Sequence, residues 1–184
     1  MNHPVFLFRN DVAGHLLRLW LCLTLLALAG AVDAASYQVT GPTTPYTWID
    51  ISGTGTNVTL SDDSVSGAIA LGFTFNFGGT NYTQLRIGSN GWIFFGATST
   101  AYTNTTVASS PVNNVMMPYW DDLNPARAPA GSIRYQTLGA APNRQFVVSF
   151  LAIRHYSDSG TNTFQIVLNE NGSFLYNYQS TGNQ

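Results

Sequence analysis

Apolar and polar residues alternate with a period of two along most of this chain. In residues 73–77 three phenylalanines share one side of an extended segment, and polar residues share the other side. The same alternation recurs in residues 132–138, 163–169 and 174–178, whereas no segment after residue 36 repeats apolar residues at helical spacing over three turns. The pattern predicts an all-β domain.

Two segments are apolar on both sides and are predicted to be central, doubly covered strands. They are residues 92–95, with Trp, Ile, Phe and Phe in succession, and residues 145–153. The pattern also predicts an early strand in residues 46–51. The polar residues 97–114 are too hydrophilic to cover a core, so we expect them outside the domain.

Turn signals separate these segments. Asn90-Gly91 precedes the first doubly apolar segment, and Asn171-Gly172 joins the last two alternating segments in a predicted hairpin. Short strands at intervals of about ten residues, mostly joined by turns, are typical of an antiparallel β-sandwich.

Four motifs in a fixed order resemble the nidogen-like (NIDO) extracellular domain and its bacterial relatives. They are FTFNFG at residues 73–78, a strand around Tyr82, SNGWIFFG at residues 89–96 and MPYWDDL at residues 117–123. The resemblance covers roughly residues 73–178. It implies an extracellular, non-catalytic β-module of larger surface or matrix proteins, and it implies no ligand and no catalytic residue.

The N-terminal region has the order of a secretory signal peptide. Two arginines precede the apolar run of residues 19–31, and small residues follow it up to Ala35. This order predicts a signal peptide in residues 1–35, cleaved after Ala34 or Ala35, because the run is shorter than the about 20 residues that span a bilayer. An uncleaved membrane anchor is the alternative.

Cleavage would leave residues 36–184 as one β-sandwich domain with no stable membrane span, secreted or at the cell surface. We expect this domain to be the N-terminal part of a longer surface protein. Its stability must come from packing, because the only cysteine, Cys22, leaves with the signal peptide and no disulfide can form.

The charge of the remaining chain excludes nucleic-acid binding. It contains no lysine and five single arginines, which cannot form a basic patch for phosphates. So few charges also oppose self-association only weakly.

Catalysis is not expected. His155 is the only histidine after the signal peptide, it begins a polar turn where a histidine normally faces solvent, and no nucleophile elbow is present. A glycosidase would need two carboxylates across a cleft, and nothing in the sequence places two acids in this way.

The adjacent acids Asp121 and Asp122 are the candidate polar site. In an extended segment their side chains point to opposite faces, so we expect one of them to turn inward and accept backbone N–H bonds. The alternative is a calcium site shared with loop carbonyls. Asp62 and Asp63 form a second acidic pair, but they lack the glycine-spaced Asp-x-Asp-x-Asp pattern of a calcium loop.

The aromatic residues permit a binding function. Trp92 and Trp120 lie in apolar runs and are expected to be buried, whereas Tyr102 and Tyr156 lie in polar segments and are the rings most expected to contact a ligand. The sequence thus predicts an interaction, adhesion or structural module that binds a surface protein, a matrix protein or a glycan. The alternative is a carbohydrate-binding module attached to a secreted hydrolase.

Overall fold

The computed structural model describes residues 47–106, 112–157 and 160–182, so the predicted signal peptide lies outside the described residues. The described chain consists of short and long strands joined by turns and loops. Its strands are β1 (Thr56–Val58), β2 (Ile69–Phe77), β3 (Thr80–Gly88), β4 (Trp92–Phe94), β5 (Val115–Met116), β6 (Leu123–Asn124), β7 (Ser132–Leu138), β8 (Gln145–His155), β9 (Thr161–Asn169) and β10 (Phe174–Ser180).

These strands form two antiparallel sheets that pack over a shared core. The first sheet has the order β1-β7-β8-β9-β10, with β6 also paired to β8, and the second has the order β2-β3-β4-β5. The all-β antiparallel sandwich predicted from the alternation is therefore confirmed. None of the described residues lies in a helix that could cross a membrane.

The core lies between the inner faces of the two sheets. From the second sheet it receives Phe75 and Ile93, and from the first it receives Phe150 and Phe164, all of them 0% exposed. The rings of Phe150 and Phe164 stack with centroids 4.5 Å apart. Every second residue of a strand faces this core, which is why the period-two pattern located β2, β7, β9 and β10 correctly.

The predicted central strand β4 is confirmed, and its outer side corrects two other predictions. Trp92 and Phe94 point away from the main core into a smaller cluster, where Val112 and Ala101 from the polar loop pack on them. The described parts of this loop, residues 97–106 and 112–114, thus do not all lie outside the domain, because a strand that is apolar on both sides needs a cover. The ring of Trp120 stacks on that of Trp92 with centroids 4.9 Å apart but is only partly buried, which corrects the expectation that both rings are buried.

The second predicted central strand, β8, is also confirmed. Its outward-facing Val147 packs with Val167 of β9 beneath Ile51. Residues 47–51 cover this side of the sheet but belong to no strand, which corrects the predicted early strand. The reason is that the main chain of Ile49 bonds to a side chain, that of Gln165, and not to a neighbouring strand.

Candidate functional site

The turn between β3 and β4 is the centre around which several loops meet. Gly91 has a φ of 81°, and a Cβ atom added to it would lie 1.9 Å from the carbonyl oxygen of Tyr119. No other residue type fits there, because the turn needs positive φ and the neighbouring chain leaves no space. The predicted Asn90-Gly91 turn is therefore also a contact between two loops.

The buried side chain of Asn90 connects three loops. Its Nδ2 donates to Asp63 Oδ1 at 2.8 Å and to the carbonyl of Thr100 at 3.3 Å. Its Oδ1 accepts the N–H of Leu123 at 3.0 Å. Asn90 is 1% exposed, so its donors and acceptor are satisfied by protein groups, as a buried amide requires. One amide thus fixes the loops before β2, after β4 and before β6.

Asp121 turns towards the end of β8. Its Oδ2 lies 3.1 Å from His155 Nε2, and its Oδ1 accepts the N–H of Asp122 at 2.8 Å. His155 is 7% exposed, so the expectation that it faces solvent was wrong. The physical reason is that β8 extends as far as His155, where it pairs with Leu123 of β6 and is covered.

Two further contacts hold His155 at the end of β8. The ring of Tyr119 lies edge-on to the ring of His155, with ring centres 6.5 Å apart. The main-chain carbonyl of His155 accepts a bond from Arg127 Nη1 at 2.6 Å. A carboxylate beside an imidazole also occurs in hydrolase triads. Here the pair joins the loop before β6 to the last residue of β8.

Asp122 turns the other way, towards the second acidic pair. Asp62, Asp63 and Asp122 can each offer one carboxylate oxygen so that the three oxygens lie within 4.8 Å of one another. Burial, followed by the charges of Asp63 and Asp62, raises the pKa of Asp122 above its ordinary value. Burial and the charge of Asp63 likewise raise the pKa of Asp62. The three acids therefore repel one another in the folded protein.

The chemistry of this acidic cluster suits a hard cation. Oxygen donors are what Ca²⁺ prefers, although it takes about six to eight of them. Asp62 Oδ1 is buried and accepts no hydrogen bond from the described residues. The structure thus separates the two acids that the sequence treated together, since Asp122 joins the cluster and Asp121 lies against His155. The sequence showed Asp62-Asp63 as a pair, but no spacing signal linked it to Asp122.

The two tyrosines predicted to contact a ligand lie beside these loops. Tyr102 and Tyr156 are 50% and 56% exposed, as expected. The N–H of Tyr156 donates to the carbonyl of Asp122 at 2.8 Å. Tyr102 follows Ala101, whose carbonyl accepts from Trp120 Nε1 at 2.9 Å. We call this region the loop end, formed by residues 61–64, 89–91, 99–104, 119–123 and 155–156.

Two antiparallel sheets over one core, with polar loops gathered at one end, define a β-sandwich module of the architecture common in cell-surface proteins. A family model described as NIDO related matches residues 36–184, and the chain therefore belongs to the NIDO-related family. The resemblance seen in the four sequence motifs is confirmed. Membership of this family indicates an extracellular module. No curated protein and no solved structure matches the chain.

Proposed function

We propose that this chain is a non-catalytic interaction module of a secreted or cell-surface protein and that the loop end is its contact surface. The observation that carries the proposal is that Tyr102 and Tyr156, far apart in sequence, both adjoin the loops fixed by Asn90. Tyrosine is enriched in protein interfaces because it offers a large apolar ring and a polar hydroxyl with few rotatable bonds.

The rigidity of the loop end favours binding. The Asn90 amide holds three loops through buried hydrogen bonds, so less conformational entropy is lost when a partner immobilises them. The carboxylates of the acidic cluster and the amide of Asn104, which donates to the carbonyl of Trp120, add polar groups around the tyrosines. A rigid scaffold with polar loops and a few exposed rings is the usual basis of recognition by β-sandwiches.

The absence of turnover is part of the proposal. After the signal peptide the chain has no cysteine and no lysine, so thiol and Schiff-base chemistry have no nucleophile. Its histidine ties β6 and β8 together through main-chain pairing and Asp121. An adhesive or structural role in a larger surface protein uses these features without any chemical step.

A carbohydrate-binding module is the second candidate. It is favoured by the exposure of Tyr102 and Tyr156, since aromatic rings stack on sugar rings and carboxylates bind sugar hydroxyls. Trp92 cannot take part, because it is 0% exposed. A glycan would therefore stack on the rings of Tyr102 and Tyr156.

Both candidates can be tested with the mature protein immobilised and exposed to a panel of matrix proteins and to a glycan array. The variant Tyr102→Ala/Tyr156→Ala is compared with Leu175→Ala, which removes an exposed apolar residue of β10 outside the loop end. We expect the double variant to lose about ten-fold or more in affinity, as loss of interface anchors usually does, and the control to bind as the parent does.

The outcome separates the candidates. Binding of the parent to a matrix protein supports the interaction module, and binding of the parent to glycans alone supports the carbohydrate-binding module. Binding that the double variant keeps in full would move the contact surface away from the loop end.

A further inference from the structure

The outer face of the first sheet carries a row of polar residues at one level of adjacent strands. Arg134 of β7 pairs with Ser149 of β8, Ser149 with Gln165 of β9, and Gln165 with Asn177 of β10. Ser149 is 1% exposed and Gln165 is 0% exposed. Polar side chains buried on an outward face need partners. Ser149 accepts a bond from Gln165 Nε2 at 3.3 Å, and the other three side chains bond to the main chain of residues 47–55.

The row binds the main chain of this segment. The N–H of Ile49 donates to Gln165 Oε1 and its carbonyl accepts from Gln165 Nε2, both at 3.0 Å. Asn177 Nδ2 donates to the carbonyl of Thr47 at 3.0 Å. A neighbouring strand would offer the same pair of groups. The contacts therefore recognise an extended backbone and not particular side chains.

Beside the polar row lies an apolar floor. Val147 and Val167 are directly paired across β8 and β9 and both are 0% exposed. Ile49 and Ile51 pack on them, as alternate residues of an extended segment can. We call this surface the outer groove, formed by Val147, Ser149, Gln165, Val167 and Asn177. Its chemistry fits an extended segment with two aliphatic residues two positions apart.

We propose that the outer groove is a peptide-docking site in which residues 47–51 of a second copy can replace the chain's own. The inference concerns a second surface and does not depend on what the loop end binds. The docked segment belongs to no strand, so its release breaks no strand pairing. A second copy offers identical residues and makes identical contacts, which is the basis of domain swapping.

A turn connects the docked segment to β1 and serves as the hinge. The N–H groups of Thr54 and Gly55 both donate to the carbonyl of Ile51, at 3.3 and 2.8 Å. Opening this turn would carry residues 47–51 away from the sheet while β1 stays paired with β7. Two copies that open together can each fill the other's groove around a two-fold axis.

The balance between the two arrangements depends on concentration. Contacts are the same in both, so the chain's own segment is favoured by its effective concentration, which is about millimolar for a short linker. Exchange becomes substantial where copies are crowded to a similar local concentration. The formal charge of the whole chain, −2, opposes this approach only weakly.

The mature chain lacks cysteine, which permits a disulfide test. One chain carries Ile51→Cys, a second carries Val167→Cys, and a control chain carries both substitutions. All three are checked for parental folding by circular dichroism and are oxidised over a range of concentrations. The peptides joined through positions 51 and 167 are then identified by mass spectrometry.

We expect the control chain to close, that is, to form the disulfide between positions 51 and 167 within one molecule, at micromolar concentration. We expect the mixture to give a 51–167 linked heterodimer whose yield rises about five-fold or more between about 10 µM and 1 mM, as competition with a millimolar effective concentration requires. Adding Gln165→Ala to the chain that carries Val167→Cys should lower the yield of the heterodimer, because Gln165 binds the main chain of the docked segment. A control chain that closes while the mixture gives no heterodimer would overturn the proposal. A control chain that folds but does not close would overturn the outer groove itself.

Discussion

Asn90 shows at the residue scale how a turn residue becomes a structural centre. Turn propensity explains why Asn precedes Gly91, but a turn asparagine normally faces water. Here the amide is buried and bonds to Asp63, Thr100 and Leu123. The geometry of the loop end therefore depends on one side chain whose partners come from three distant parts of the sequence.

Asn90→Ala should destabilise the protein markedly. The substitution leaves the buried N–H of Leu123 without its acceptor, which alone costs about 1–3 kcal/mol. Urea denaturation of the parent and the variant measures the loss. Asn57→Ala, at an exposed position of β1, is the control and should change the free energy of unfolding by no more than about 0.5 kcal/mol. Equal effects of the two substitutions would contradict the role assigned to Asn90.

At the scale of elements, side chains join strands where the main chain does not. Arg144, which precedes β8, binds Glu170, which follows β9, through Nη2 and through Nε at 2.9 Å. The guanidinium also donates to the carbonyl of Gly72 in β2 and lies 5.6 Å from the ring centre of Phe73. Arg144 therefore links the ends of β8 and β9 in the first sheet to Gly72 and Phe73 of β2 in the second.

The Arg144–Glu170 pair predicts a pH dependence of stability. Bonds from the Arg144 side chain and backbone lower the pKa of Glu170 from 4.5 to about 2. A carboxyl whose pKa is lower in the folded state stabilises folding above its unfolded pKa and loses that contribution as the pH falls through its folded pKa. Glu170→Gln should thus melt below the parent at pH 7, and the difference should shrink between pH 4.5 and about 2. A difference that is constant over this range would contradict the pairing.

At the acidic cluster, in the loops before β2 and β6, we expect the opposite dependence of stability on pH from that at Glu170. The pKa of Asp122 is raised in the folded protein, so ionisation destabilises the fold as the pH rises above the unfolded pKa. In chelator at pH 7, Asp122→Asn should melt at or above the parent, because it removes a repelling charge. Asp121→Asn should melt below the parent, because it weakens the bond to His155.

Adding calcium decides whether the acidic cluster holds a cation. A ligand that binds only the folded state raises its stability. If the cluster holds calcium, the parent gains melting temperature in millimolar calcium and Asp122→Asn does not. A parent whose melting temperature is indifferent to calcium would contradict a calcium site at the acidic cluster.

At the scale of the whole molecule, the sandwich holds together without a disulfide, because the described residues include no cysteine. Phe75, Phe146, Phe150 and Phe164 are fully buried in a core shared by both sheets. The outer sides of β4 and β8 need separate covers, which the polar loop and residues 47–51 provide. Folding of these residues therefore requires no disulfide and no oxidising compartment.

The N-terminal region gives a prediction about export. The basic, apolar and small-residue segments predict that the mature protein begins at Ala35 or Ser36. N-terminal sequencing of the exported protein measures this directly, and substitution of Ala34 by a bulky residue should slow or shift the cleavage. A mature protein that still begins at Met1 would favour the membrane anchor.

The sequence by itself determined most of the long strands and which of their sides face the core. Alternation at residues 73–77 and the doubly apolar residues 92–95 and 145–153 predicted β2, β4 and β8, because a strand has only two faces and burial dictates the composition of each. Exposure of Tyr102 and Tyr156 followed in the same way from their polar surroundings. These are local properties, so a local pattern is sufficient to reveal them.

Only the tertiary structure decided which polar residues meet. Asp122 joins Asp62 and Asp63, Asp121 meets His155, and Gln165 binds the main chain of Ile49. Each of these contacts bridges loops or strands that are distant in sequence, and a hydrogen bond depends on positions set by the whole packed sandwich. The burial of His155 likewise results from the pairing of β6 with β8. Strand β6 has only two residues, which are too few to show a recognisable pattern in the sequence.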